Sequence, residues 1–224
     1  MGSKNKLKRF KENETFQNVI QPQRQVLERD EFHLKGNWNK AYFKNDNPII
    51  LELGCGKGEY TIHLAHLYPE MNFVGIDIKG ARFWRGAKTA LEDKRTNVAF
   101  VRAQIELIDT LFDSQEVTEI WITFPDPQIK HKRTKHRLTN PHFLECYRRI
   151  LTPDGIVHLK TDSEFLHGYT LGILNDKKYE ICYSHHDIYN NPYAPKQAIS
   201  VQTFYEKMFL EQNKPITYIN FKFI

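Results

Sequence analysis

A doubly wound α/β fold with a mostly parallel sheet is predicted by three observations. Short apolar runs of strand length alternate with helical segments along residues 48–224. The first run is continuously apolar, as in a parallel strand covered on both faces. A glycine-rich turn then leads at once into a helical pattern.

The elements follow in order. Residues 48–53, "PIILEL", read as the first strand, and "GCGKG" as the turn after it. Tyr60, Leu64, Leu67 and Tyr68 then recur at helical spacing. "NFVGIDI" is a second strand. "ARFWRGAKTALEDKR" is a helix with Ala81, Trp84, Ala87 and Leu91 along one side. "VAFVRA" and "EIWITF" are the third and fourth strands. "PHFLECYRRIL" is helical, with Pro141 in its first turn. "GIVHLKT" is a fifth strand and "SEFLHGYTLGILN" a further helix. "YEICYSHH" and "PITYINFKFI" are late strands separated by the helical "FYEKMFLEQ". Residues 1–46 are polar and basic with scattered aromatics. They read as an N-terminal extension partly docked through Trp38, Tyr42 and Phe43, ahead of a domain over 47–224.

Composition sets outer bounds. The chain has 224 residues, 40% hydrophobic and 13% aromatic, enough for a sizeable core. Its net charge of +5 permits an anionic partner without demanding one. Charge concentrates in "MGSKNKLKRFK" and in residues 130–137, where five Lys/Arg and two His fall together. Such runs are often only solvated surface. Cys55, Cys146 and Cys182 are odd in number and widely spaced, which predicts neither a zinc site nor a disulfide framework. A reducing, cytoplasmic setting fits, and no apolar run is long enough to span a bilayer. "MGSKNK" begins like a myristoylation site but has Lys6 where Ser or Thr is expected. The paired histidines His63/His66 and His185/His186 lack a third ligand at a telling spacing, so no metal is expected.

In a doubly wound sheet, ligands bind beyond the carboxyl ends of the strands. At the first such end lie Glu52 and the turn glycines Gly54, Gly56 and Gly58. This G-x-G-x-G spacing departs from the dinucleotide fingerprint G-x-G-x-x-G. A carboxylate just before the turn repels a pyrophosphate but suits a cationic ligand such as S-adenosylmethionine (SAM). Asp77 ends the second strand, where an acid can accept from ribose hydroxyls, and Gln104 follows the third, toward an adenine edge. "FPDP" follows the fourth strand and holds Asp126 between two prolines. An NAD-dependent oxidoreductase and a non-catalytic RNA-binding module are the rival readings. The glycine spacing disfavours the first, and the set Glu52, Asp77, Asp126 and Asp162 the second.

"LELGCGKGEY", "FPDP…K", the basic loop with "RLTNPHFL", "LKTD" and "TFYE" occur in this order. Together they resemble the bacterial tRNA (guanine-N7)-methyltransferase family, from about Trp38 to the C-terminus. The resemblance implies a Rossmann-like class I methyltransferase sheet with a late antiparallel strand. It implies SAM-dependent methylation of N7 of a guanine in the tRNA variable loop. Glu52, Gly54, Gly56, Gly58, Asp77, Gln104 and Asp126 would bind SAM, and Asp126 would also be catalytic. Lys130, Asp162 and the segment Thr203, Phe204, Tyr205, Glu206 would contact substrate. Lys132, Arg133, Lys135 and Arg137 would grip the tRNA backbone. The chain departs from the family in having Gln128 where Trp is usual, His136 within the basic run, and Gln104 where an acid or Asn is frequent. Monomer and homodimer remain open.

Overall fold

A computed structural model describes residues 3–224. Met1 and Gly2, which begin the basic segment and the myristoylation-like start, lie outside the described residues. One eight-stranded sheet runs through the chain. Its strands are β1 (Val19–Ile20), β2 (Ile49–Leu53), β3 (Asn72–Ile76), β4 (Val98–Val101), β5 (Val117–Thr123), β6 (Leu151–Thr161), β7 (Tyr179–His185) and β8 (Thr217–Phe223). The spatial order is β1-β4-β3-β2-β5-β6-β8-β7. Pairings from β1 through β6 are parallel. β8 enters antiparallel between β6 and β7, so the late antiparallel strand is present.

The helices are α1 (Ser3–Thr15), α2 (Arg24–Glu28), α3 (Glu59–Leu67), α4 (Gly80–Glu92), α5 (Ile108–Leu111), α6 (Pro141–Ile150), α7 (Glu164–Leu174), α8 (Lys196–Ile199) and α9 (Phe204–Glu211). Two short segments wind more tightly or loosely than these helices. Trp38–Phe43 forms a π-helical turn, and the basic run His131–His136 coils into a 3₁₀ helix rather than an open loop. α6 starts where the sequence signals it, with Asn140 as N-cap accepting from the His142 N–H and Pro141 in the first turn.

Strand periodicity sorts the core into two layers. One face carries Leu51, Leu53, Val74, Ile76, Val101, Ile120, Ile122, Val157 and Leu159, with the uncharged polar residues Asn72, Thr161 and Thr217 buried at the strand ends. The other carries Ile50, Phe73, Phe100, Trp121 and Tyr218, packed with Tyr60 and Leu64 of α3 and Phe83 of α4. By the same alternation Glu52, Thr123, His158 and Lys160 point to this second face. All four are buried. Glu52 and Lys160, the buried charged residues of these strands, therefore lie on the same side of the sheet.

The described part of the first 46 residues shares this packing. β1 adds a parallel edge beside β4, pairing Val19 with Phe100. α1 lies on α4: the Trp84 indole N–H donates to Glu12 (2.6 Å), and the Asn13 amide donates to the Gly80 carbonyl (2.9 Å). Trp38 is fully buried, stacks on Phe112 and donates its indole N–H to the Leu111 carbonyl (2.9 Å). The Tyr42 hydroxyl donates to the Val98 carbonyl, and Phe43 is buried.

Candidate active site

The glycine turn after β2 has three residues with positive φ, Gly54 (+71°), Gly56 (+56°) and Gly58 (+73°). They need glycine for different reasons. A Cβ on Gly58 would lie 2.5 Å from the Phe100 ring, so this residue permits α3 to pack on the sheet. A Cβ on Gly54 would meet nothing within 4 Å. The space above Gly54 is open, and the left-handed backbone presents the turn to whatever lies there. The Gly54 and Cys55 N–H groups donate to the Ile76 carbonyl, tying the turn to the end of β3. Asp77 completes the tie, accepting from the Gly56 N–H (3.1 Å) and the Lys79 N–H (2.7 Å).

Glu52 is buried beneath the turn. Its carboxylate accepts from the Thr61 N–H (2.8 Å) and hydroxyl and from the Thr123 hydroxyl (2.7 Å). Burial pushes its pKa from 4.5 to about 7, against the lowering effect of those hydrogen bonds. The sign of the linkage follows. A raised folded-state pKa gives stability that is fully present below 4.5 and lost as pH rises through about 7. We expect the thermal midpoint of ligand-free protein, relative to that of Glu52→Gln, to fall across this window. A parallel profile for the two proteins would remove Glu52 as the titrating group.

Two cavities meet at Gly54. One is lined by Glu52, Gly56, Lys57, Thr123, Thr203 and Tyr205 among others. The second is lined by Asp77, Gln104, Ile105, His136, Leu138 and Phe143 among others. An elongated ligand across the turn would thus meet Glu52 at one end and Asp77 and Gln104 at the other. Gln104 is oriented from outside: Arg24 donates to its side-chain oxygen (2.6 Å) and is itself paired with Glu28 (2.6 Å). The N-terminal segment therefore braces Gln104 from behind this cavity, a role that its polar, basic sequence does not signal.

Asp126 lines neither cavity. It is exposed, two residues beyond Phe124, which does line the first. Phe124 and Gln128 both have φ of +47°, so the Pro-Asp-Pro corner is bracketed by two left-handed residues. The Asp126 carboxylate accepts from the Gln128 N–H (3.0 Å). Gln128 thus contributes its backbone to the corner.

The expected substrate residues divide. Lys130, Lys132, Arg133 and Lys135 are exposed on or beside the 3₁₀ helix, and Asp162 is half-buried just past β6. Phe204 and Tyr205 are 56% and 53% exposed, with the Lys57 ammonium 4.3 Å from the Phe204 ring centre. Glu59 accepts from the Phe204 N–H (2.9 Å), joining this segment to the glycine turn. Two of the expected residues are turned inward. Glu206 is fully buried: it ion-pairs with Lys160, accepts from the Tyr189 hydroxyl (2.7 Å) and forms a capping box with the largely buried Thr203. Arg137 is only 4% exposed and faces inward, so its guanidinium is not presented to a phosphate. Lys160 was not singled out from the sequence. Its signal is a lysine set within the strand run "GIVHLKT", beside Leu159.

Comparison with known proteins agrees with this architecture. The family described as "Putative methyltransferase" matches residues 46–219. The fold is similar to the 16S rRNA methyltransferase KamB, with a TM-score of 0.62 at 13% identity, covering 84% of this chain and 93% of that one. An antibiotic-related methyltransferase gives a TM-score of 0.61 at 15% identity, over 86% and 96% of the two chains. The sheet, with its glycine turn between Glu52 and Asp77, defines a class I SAM-dependent methyltransferase. A tRNA (guanine-N(7)-)-methyltransferase of Christiangramia forsetii is 67% identical over 99% of both chains. The Bacteroides fragilis protein of the same name is 44% identical over 97% of this chain and 85% of its own. The chain belongs to the tRNA (guanine-N7)-methyltransferase family.

Proposed function

We propose that this chain transfers the methyl group of SAM to N7 of a guanine in the variable loop of tRNA. The observation that carries the reading is the 67% identity to a named relative along essentially the whole of both chains. The site supports it chemically. Open space above Gly54 is a cradle that a Cβ would fill, and the flanking carboxylates suit a ligand bearing an ammonium and a ribose. In this reading Glu52 faces the cationic end, Asp77 the ribose hydroxyls and Gln104 the adenine. SAM supplies an electrophilic methyl group on a sulfonium.

Guanine N7 has an in-plane lone pair and no proton, so no strong base is needed. Catalysis then reduces to positioning and electrostatics. The methylated purine is cationic, and the Asp126 carboxylate beside it favours that developing charge. Asp126 or Asp162 accepts from the guanine N1–H and N2–H edge, which adenine does not offer. Lys130, Lys132, Arg133 and Lys135 neutralise phosphates, giving affinity without reading sequence. With unmodified tRNA and methyl-labelled SAM, borohydride and aniline treatment is expected to cleave the labelled chain within the variable loop. Label that resists this cleavage, or cleavage elsewhere, overturns the reading.

A further inference from the structure

We propose that Arg137 is a positioning residue that holds the Asp126 corner from within the protein. The inference rests on the reading of Asp126 given above. Arg137 Nε donates to the Gln128 carbonyl (3.2 Å), and its Nη2 donates to the same carbonyl (3.1 Å) and to that of Ile129 (3.3 Å). The guanidinium lies 4.7 Å from the Phe165 ring centre and 4.4 Å from that of Tyr169, both on α7. A planar guanidinium meets the two carbonyls along its edge while its face lies against the rings, a fork geometry that a tetrahedral ammonium does not reproduce.

The two ends of the corner are secured differently. The Phe124 N–H donates to the Lys160 carbonyl (2.8 Å), continuing the β5–β6 ladder. Gln128 lies beyond the ladder, yet it is held at φ +47°. A non-glycine residue stays in that region only where its surroundings over-determine it. Arg137 supplies the determination from one side. On the other, the Gln128 N–H reaches the Asp126 carboxylate. Releasing the Gln128 carbonyl lets this residue return to ordinary φ, withdraws its N–H and frees Asp126 to swing. Arg137 also caps the 3₁₀ helix, donating its N–H to the Thr134 carbonyl (3.1 Å). One residue thus joins the exposed cations Lys132, Arg133 and Lys135 to the acidic corner.

The test compares Arg137→Lys, Arg137→Met and Lys132→Ala using unmodified tRNA and methyl-labelled SAM. Both Arg137 variants should keep tRNA affinity within about threefold and an unchanged salt slope, whereas Lys132→Ala lowers the slope by about one. Their single-turnover methylation rates should fall at least about 30-fold, and Arg137→Met should add less than about threefold in an Asp126→Asn background. A lowered salt slope with a normal rate would make Arg137 a phosphate contact and overturn the proposal. Losses that multiply with those of a slow Asp126→Asn would remove the role of Arg137 alone. A normal rate for Asp126→Asn by itself would remove the reading of Asp126 and this role with it. Should Arg137 variants misfold, Phe165→Leu, which strips one stacking face from a 43% exposed position, should slow turnover several-fold at unchanged tRNA affinity. An unchanged rate in that variant counts against the proposal.

Discussion

Asp126→Asn is expected to lower the single-turnover methylation rate about 10²–10³-fold, with tRNA affinity kept within about threefold. The substitution is close to isosteric. An amide oxygen can still accept from the Gln128 N–H, so the corner should retain its shape. What disappears is the negative charge beside a purine that becomes cationic as the methyl arrives. Asp126 is exposed in the free protein, where water screens its field. Docked tRNA excludes that water, and the same charge then acts in a lower dielectric. The loss should therefore appear in the chemical step rather than in binding. A near-normal turnover would end the assignment of Asp126 as catalytic.

Lys160→Met is expected to destabilise the protein by about 3–5 kcal/mol, because it strands the fully buried Glu206 carboxylate. At roughly 2–4 °C per kcal/mol for a domain of this size, the thermal midpoint should fall by about 10 °C. Burial draws the Lys160 pKa down, while the neighbouring Glu206 opposes that shift. The pair is further satisfied by the Val201 carbonyl (3.2 Å) and the Tyr189 hydroxyl. Adding Glu206→Gln to Lys160→Met should restore part of the loss, since no buried charge is then left unpaired. Denaturant unfolding of the two singles and the double checks this. A double variant weaker than either single would contradict the account. The pair also supports the site's edge, because Glu206 caps the helix that begins with Phe204 and Tyr205, and Tyr205 lines the cavity beside Glu52.

The readable features of this protein share one property, which is that they are local. The apolar run of β2, the glycines after it and the Asn140-Pro141 start of α6 each state their conformation within a few residues. Even the side of the sheet that carries Glu52, Thr123 and Lys160 follows from strand alternation once the strands are placed. The acidic corner was equally legible, because two prolines restrict Asp126 wherever the chain goes. Its left-handed flanks were not, since positive φ at Phe124 and Gln128 is imposed by partners elsewhere.

The sequence by itself determined the main strands and helices over residues 48–224, the glycine turn with its carboxylates, and a corner placing Asp126 before a basic run; α1 and β1 within the first 46 residues came only with the fold. Tertiary structure alone decided which charges face solvent. It turned Arg137 inward beneath the corner while Lys132, Arg133 and Lys135 stayed outside, and it buried Glu206 against Lys160. It also brought Arg24 to Gln104 across 80 positions of chain. The physical reason is that backbone conformation responds to near neighbours, whereas the desolvation of a charge depends on whatever the completed fold packs around it.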